Sequence, residues 1–192
     1  MERVLAILHR TMVIQNRTKP IPKKKNHYKA TEPKPKNVKE KKMKKTPKLK
    51  SYRPLVTENF IWDFPSRLNL KTISEFLNED IDPTTEYISN TAKVTMQNTG
   101  VYWFIQQKNT DKICASVSLS DPDFTKQTAA LMVTFKDLTD AQKDEIAQRL
   151  LVLLKGQLDL KEIEINELDH IIQEKFTNNG YTIFNKKTLK RS

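Results

Sequence analysis

The spacing of apolar residues in the last third of the chain predicts a helix followed by a strand. Thr139 or Asp140 can cap the helix, because a short polar side chain accepts hydrogen bonds from the first free backbone N–H groups. Apolar residues then recur every three or four positions, the spacing of one helix face, at Ile146, Leu150, Leu153, Leu154 and Leu158. The alternating run Glu162–Ile165 follows and is typical of a half-buried strand.

A second helix and strand are predicted directly downstream. Ile171, Ile172 and Phe176 indicate a helix over residues 168–177 with these three side chains turned inward. The sequence Asn-Asn-Gly at 178–180 ends that helix, because both residue types tolerate positive φ. Tyr181–Phe184 is predicted as the closing strand.

The folded part is predicted to begin at residue 55 with an apolar cluster and two helices. The cluster at 60–64 needs burial and predicts an edge strand or a lead-in to the first helix, which spans residues 70–78. Pro83 suits the first position of the second helix after an aspartate cap at Asp82. This second helix is expected to end before Gly100 and to run through Tyr87, Ile88, Ala92 and Met96.

The central segment predicts a meander of three antiparallel strands. The strands are expected at 101–107, 113–119 and 129–135, because apolar residues alternate or cluster there. Turn-forming residues at 109–111 and 121–123 separate them.

This order of elements resembles the GNAT (Gcn5-related) N-acyltransferases, above all the branch that acetylates protein N-termini, including those of ribosomal proteins. In that branch the helix after the alternating strand starts at an Asn, and a Gly-Phe pair follows eleven and twelve residues later. Asp169 stands at the Asn position here, and Gly180 and Tyr181 supply the pair. The resemblance covers residues 58–187 as architecture.

The resemblance implies a fold and a reaction. The fold is α+β: a GNAT-like mixed, mostly antiparallel sheet of about six or seven strands, flanked by helices, in a domain of residues 55–192. The reaction is N-acyl transfer with acetyl-CoA as cofactor, to an amine of a protein or a small molecule.

The cofactor loop departs from the family pattern. A GNAT enzyme binds the acyl-CoA pyrophosphate through a glycine-rich loop at the start of the first helix described above, where backbone N–H groups point at the phosphates. The corresponding loop at 136–143 contains no glycine and carries Asp137 and Asp140. The residues able to compensate, as cofactor-binding candidates, are Lys136, Thr139, Gln142 and Lys143.

The acid–base positions also depart from the pattern. The family commonly has a Tyr proton donor four residues before the Gly, and Phe176 stands there. Asp169 and His170 are the candidate catalytic residues that remain, with helix capping and a plain surface position as the alternatives. Cys114 lies in a predicted strand and is expected in the core. No metal-binding spacing occurs, so no metal is expected.

Charge divides the chain into two parts. The 192 residues have a net charge of +11. Residues 1–55 hold 18 Lys and Arg against 3 Asp and Glu, whereas the remainder holds 16 against 20. Residues 18–54 are rich in Lys and Pro and poor in aliphatic residues, which predicts a disordered basic N-terminal arm.

The arm predicts contact with a polyanion, because each lysine that neutralises a phosphate releases counterions. RNA, the ribosome or DNA would serve as partner, as would an anionic membrane surface; a solubilising linker is the alternative. The candidate polyanion-binding residues are Lys23, Lys24, Lys25, Lys41, Lys42, Lys44 and Lys45.

Residues 1–17 are predicted as an amphipathic helix, with Val4, Leu5, Leu8 and Met12 on one face. An arginine-bearing start of this kind is typical of an organelle transit peptide, of a surface helix, or of chain upstream of a start at Met12. A single cysteine fits a reducing compartment, and no apolar run has the length of a membrane span. The expected location is cytoplasmic, with organelle targeting as the alternative.

Two hypotheses follow from the sequence. One is a divergent acetyl-CoA-dependent N-acyltransferase with a degenerate cofactor site, tethered by its basic arm to a polyanion. The other is a non-catalytic module that binds RNA, DNA or the ribosome.

Overall fold

The computed structural model describes residues 46–165, 167, 169–185 and 187–192. The predictions for residues 1–17 and for the basic arm up to residue 45 lie outside the described residues. The elements in chain order are β1 (Leu55–Val56), β2 (Phe60–Asp63), α1 (Leu70–Leu77), α2 (Ile81–Gln97), β3 (Gly100–Gln107), β4 (Ile113–Asp123), β5 (Thr128–Phe135), α3 (Asp140–Leu151), β6 (Glu162–Ile165), α4 (His170–Thr177), β7 (Tyr181–Phe184) and β8 (Thr188–Arg191). A π-helical segment, Val152–Gln157, continues α3, and 3-10 turns lie at Leu49–Ser51 and Pro65–Arg67.

Eight strands of the described chain form one sheet in the order β1-β2-β3-β4-β5-β6-β8-β7. Neighbours are antiparallel except β5 and β6, which are parallel. The α+β class and the mixed, mostly antiparallel sheet are therefore confirmed. The sequence predicted about six or seven strands because β1 has only two residues and because β8 carries a single buried apolar residue, Leu189.

Helices cover both faces of this sheet. On β3, Trp103 and Ile105 belong to the larger buried cluster, to which α3 contributes Ile146 and Leu150. Phe104, between them in sequence, belongs to a smaller cluster, against which Phe76 of α1 packs. Because successive strand residues point to opposite faces, β3 is buried on both sides, and α1 lies opposite α3.

Helix α2 begins earlier than predicted. Its cap is Asp80, so Pro83 lies inside the first turn rather than at its first position. Proline fits throughout the first turn, where backbone N–H groups have no partner within the helix, so it does not fix the first residue. The expected end before Gly100 is confirmed, because α2 stops at Gln97.

The predicted turn at 121–123 is wrong, because β4 continues to Asp123 and the reversal falls at 124–127. Asp121 has a positive φ of 50° at a register shift between β4 and β5. A β-bulge accepts both an aspartate with positive φ and the following proline, so this turn-like sequence lies inside a strand.

Residues 47–52 are fastened to the domain by two side chains. Asn98, the C-cap of α2, accepts a hydrogen bond from the Leu49 N–H at 2.7 Å and donates one to the Pro47 carbonyl at 3.1 Å. The Trp103 indole donates to the Tyr52 carbonyl at 2.8 Å. Leu49 is fully buried. Residues 47–52, which the sequence analysis placed in the disordered arm, are therefore ordered against the domain, because these hydrogen bonds and the burial of Leu49 hold them.

Candidate functional site

The candidate site lies beside the end of β5 that extends past its pairing with the parallel strand β6. β6 pairs with residues 128–131 of β5, so residues 132–135 have no pairing partner on that side among the described strands. The next helix, α3, begins five residues after Phe135. Helix α4 packs on α3 and begins five residues after Ile165, the last residue of β6. The gap in the sheet is therefore bordered by the beginnings of two helices.

Two of the predicted cofactor residues bind each other at the start of α3. Thr139 is the N-cap, and its hydroxyl accepts a hydrogen bond from the Gln142 N–H at 3.4 Å. The Gln142 side chain in turn accepts from the Thr139 N–H at 3.0 Å. This capping box stabilises the helix start and uses the polar groups that an incoming anion would need.

Lys143, a predicted cofactor-binding residue on α3, is paired with Asp169, a predicted catalytic residue at the start of α4. The Lys143 ammonium lies 2.9 Å from the Asp169 carboxylate, and both side chains are about one-fifth exposed. The same ammonium lies 5.6 Å from the centroid of the Phe135 ring, at the end of β5. This ion pair therefore links α3 to the start of α4 next to the unpaired end of β5.

Asp169 is also the N-cap of α4. It accepts a hydrogen bond from the Ile171 N–H at 2.9 Å. Burial alone would raise the pKa of Asp169, but the hydrogen bonds from Lys143 and Ile171 outweigh it and hold the pKa below its usual value. Asp169 is therefore a carboxylate at neutral pH and not a proton donor.

His170 and Lys136 stand apart from this pair. The His170 side chain is 70% exposed, and its Nδ1 lies 3.7 Å from Asp169, beyond hydrogen-bonding distance. The Lys136 ammonium lies 5.8 Å from the ring centroid of Phe76 on α1, on the opposite face of the sheet from α3. Asp137 pairs with Lys112 at 3.2 Å.

Glu145 provides a contact that the sequence does not reveal. Its carboxylate accepts hydrogen bonds from the Asn59 backbone N–H at 2.8 Å and from the Asn59 side chain at 2.7 Å. Burial would raise the pKa of Glu145, but the bonds from Asn59 and Thr57 outweigh it and lower the pKa. The pair fixes α3 to the start of β2, and no local signal in the sequence indicates a partner 86 residues away.

The domain resembles solved structures of acetyltransferases. A protein described as a ribosomal-protein-serine acetyltransferase from Vibrio cholerae superposes with a TM-score of 0.53, at 14% identity over 66% of this chain and 82% of its own. A ribosomal-protein alanine acetyltransferase from Vibrio fischeri gives 0.51, at 11% identity over 67% and 82%. The ribosomal-protein acetyltransferase RimL gives 0.54, at 7% identity over 72% and 92%.

The domain has the GNAT fold. No protein-family model and no curated protein matches the sequence, so the likeness is one of structure.

Several polar groups at the GNAT cofactor loop already have partners within the protein. A pyrophosphate needs free backbone N–H groups and unpaired cations. Here Thr139 and Gln142 are engaged in the capping box, Lys143 is neutralised by Asp169, and Lys136 lies beside α1. Asp140 adds negative charge in the first turn of α3.

The proton-donor position of the GNAT fold is closed in this chain. Phe176 is fully buried, and its ring centroid lies 5.2 Å from that of Tyr181. The Tyr181 hydroxyl donates to the Leu160 carbonyl at 2.7 Å, and burial raises the pKa of that phenol. The Tyr181 hydroxyl is therefore buried and hydrogen-bonded in the core, so it does not replace the proton donor that is missing at position 176.

The described residues offer neither a reactive cysteine nor a cluster of metal ligands. Cys114 lies in the core as predicted, and burial raises the pKa of its thiol to about 11, so it is not a thiolate nucleophile. Among residues 46–192 that the structure describes, no group of three or more His, Cys, Asp or Glu side chains could hold a metal ion. None of the described helices has the length and apolar character needed to cross a bilayer.

Proposed function

We propose that this chain is a divergent GNAT-fold protein with a degenerate acetyl-CoA site, which a basic arm tethers to a polyanion such as RNA, the ribosome or DNA. In this proposal the domain works by binding and not by acyl transfer. The observation that carries it is the ion pair between Lys143 and Asp169.

The pair opposes cofactor binding in two ways. Lys143 is the cation that extends from α3 towards the gap beside β5, and Asp169 neutralises it at 2.9 Å. A bound pyrophosphate would have to break this contact and would then face the Asp169 carboxylate. Breaking a partly buried ion pair leaves an unsatisfied charge behind, so the penalty falls on the complex and not on the free protein.

The charge of the arm supports the polyanion part of the proposal. Residues 1–55 carry a formal charge of +15, whereas the rest of the chain carries −4. Lysines at 23–25, 41, 42, 44 and 45 supply repeated cations, and contact with phosphates would release counterions. Affinity from this source does not depend on base sequence and falls steeply with salt.

An active N-acyltransferase with a protein substrate is the second candidate. It is favoured by the three structural neighbours, each of which carries the name of a ribosomal-protein acetyltransferase. For this candidate, acetyl-CoA would displace Lys143 from Asp169, and the gap beside residues 132–135 would hold the acyl arm. The two candidates differ in one measurable property, the affinity for acetyl-CoA.

The test is calorimetric titration of the full chain with acetyl-CoA, with RimL as the positive control. We expect no heat of binding up to 1 mM ligand, because the capping box and the ion pair already engage Thr139, Gln142 and Lys143 at the start of α3. The Asp169→Asn variant restores the residue type of the N-terminal acetyltransferase branch, keeps a helix cap and frees Lys143. It should bind at least tenfold more tightly than the unmodified chain.

The Asp137→Asn variant is the matched control, since it removes the same charge from the loop without touching the pair. It should bind no better than the unmodified chain. Micromolar binding of acetyl-CoA by the unmodified chain would contradict the proposal and favour the enzyme.

A further inference from the structure

A cavity beside the C-terminal half of α2 is lined by three cations. It has a volume of about 290 Å³ and lies between the 3-10 turns at Leu49–Ser51 and Pro65–Arg67 and the last two turns of α2. Lys50, Arg53 and Arg67 line it, and none of its lining residues is acidic. No ion pair joins any of the three to a carboxylate in the described part of the chain. The cavity is therefore a concentration of unneutralised positive charge.

The backbone is ordered at each of the three residues that carry these cations. Lys50 and Arg53 lie on the segment whose backbone is fastened by Asn98 and Trp103, at 2.7 Å and 2.8 Å. Arg67 ends a 3-10 turn that begins at the buried Pro65. Because their backbones are already ordered, binding an anion requires little further loss of conformational freedom.

The cavity also has an apolar floor and a stacking group. Phe64 is 8% exposed, and the Arg53 guanidinium lies 5.7 Å from its ring centroid. A guanidinium that rests on an aromatic ring with one face can stack on a nucleobase with the other. Met96, which is 66% exposed, adds adaptable apolar surface at the rim.

The inner wall offers hydrogen-bond acceptors. Thr91 and Thr95 are buried, and their hydroxyls donate to the carbonyls of Ile88 and Thr91 at 3.0 Å and 2.9 Å. A hydroxyl that already donates keeps lone pairs that can accept from a sugar hydroxyl or a base amino group. Cations for phosphate, a planar stacking group and polar acceptors form the combination that single-stranded nucleic acids require.

We propose that this cavity binds one nucleotide unit of a single-stranded nucleic acid, with Lys50 and Arg67 on the phosphates and Arg53 stacked on the base. This inference rests on the proposed function, because the same polyanion would contact the basic arm. Lys41, Lys42, Lys44 and Lys45 of the arm lie within nine positions of Lys50 in sequence, so a ligand with repeated phosphates would gain from both. A ligand with a single phosphate, such as a phosphopeptide, would gain nothing from the arm.

The experiment measures binding of the full chain to a fluorescent twelve-residue oligouridylate by anisotropy, over a range of salt concentrations. The Lys50→Gln/Arg67→Gln double variant should weaken binding at least tenfold at 0.1 M salt and lower the salt slope by about 1.4, at about 0.7 per lost phosphate contact. The matched control, Lys126→Gln/Lys161→Gln, removes the same charge from exposed positions outside the cavity and should change affinity less than twofold.

A charge-conserving variant separates stacking from charge. Arg53→Lys keeps the cation and removes the planar group, so it should weaken binding severalfold with an unchanged salt slope. All the substituted side chains are exposed, and unchanged thermal melting will confirm that each variant folds.

Distinct results identify which proposal fails. If the cavity variant matches its control while Lys23→Gln/Lys24→Gln/Lys25→Gln weakens binding, the cavity inference is wrong and the proposed function stands. If the unmodified chain does not bind the oligonucleotide at all, both are wrong. If inorganic phosphate or a phosphoserine peptide needs Lys50 and Arg67 while oligouridylate does not, the cavity takes a different ligand and the inference is overturned.

Discussion

The Lys143 ammonium on α3 lies 2.9 Å from the Asp169 carboxylate at the start of α4. In this domain the two helix starts border the unpaired end of β5. An ion pair at this place neutralises Lys143, and in the proposed function it opposes the binding of an acyl-CoA. The stability predictions below separate this pair from the cap that Asp169 also provides.

Replacing Asp169 should reveal two separable contributions. Asp169→Asn keeps an effective N-cap and loses only the ion pair, so we expect a loss of about 1 kcal/mol in the free energy of unfolding. Asp169→Ala loses the cap as well and should cost about 1 kcal/mol more. Urea unfolding measures both values. A double-mutant cycle with Lys143→Met should give a coupling of about 1 kcal/mol, and a coupling near zero would show that the pair has no energetic role.

The pH dependence of stability follows from the lowered pKa of Asp169. Because its folded-state pKa lies below the unfolded value of about 3.9, its stabilisation is complete above that value and is lost as the pH falls through the folded pKa. Lys143 and His170 are the charged or titratable groups that face it. The stability difference between the unmodified chain and Asp169→Asn should therefore be constant from pH 5 to 7 and shrink below about pH 4. A difference that persists unchanged to pH 2 would contradict the assignment.

Replacing Asn98 should destabilise the domain more than replacing Asn78, another asparagine at the end of a helix. Asn78 and Asn98 both end helices with positive φ, of 55° and 63°. Glycine accepts that backbone at either position, but only Asn98 holds the segment at 47–49 through two hydrogen bonds. Asn98→Gly should lower the free energy of unfolding by about 1–2 kcal/mol, and Asn78→Gly should be nearly neutral. Equal effects at the two sites would show that the segment is held by Leu49 burial alone.

The basic arm should dominate the salt dependence of nucleic-acid binding. Changing the seven lysines at 23–25, 41, 42, 44 and 45 to glutamine removes seven positive charges, and each lost phosphate contact should lower the salt slope by about 0.7. The thermal melting temperature of the variant should stay within a few degrees of the unmodified value. Oligonucleotide retention measured at several salt concentrations provides the test, and an unchanged slope would refute a role for the arm.

Local signals in the sequence located much of the fold. Thr139 or Asp140 was predicted as the cap of α3, and Thr139 is the cap. The strand Glu162–Ile165 has its predicted bounds. Gly180 has a φ of +91°, as a turn before β7 requires. These features depend on neighbours within a few positions, and a single sequence carries that information.

Features that depend on distant partners could not be predicted. Lys143 and Asp169 were each candidate site residues, but their pairing brings together positions 26 residues apart. Asn98 reaches back 49 residues to Leu49, and that contact positions Lys50 beside the cavity. Strand β8 was missed because its lysine, arginine and threonine mask one buried leucine. Spatial pairing of this kind depends on the whole fold and leaves no local pattern.

Turnover is the measurement that most directly tests the proposal that the acetyl-CoA site is degenerate. The full chain, incubated with acetyl-CoA and a mixed peptide pool that includes ribosomal-protein N-termini, should release CoA no faster than buffer does. Phe176→Tyr restores the usual donor and should also be inactive, because the substitution leaves the proposed block at Lys143 and Asp169 unchanged and the new hydroxyl would lie in the core. RimL serves as the positive control. Clear CoA release by the unmodified chain, with matching acetylation of a peptide, would contradict the account and establish the protein as a working acetyltransferase.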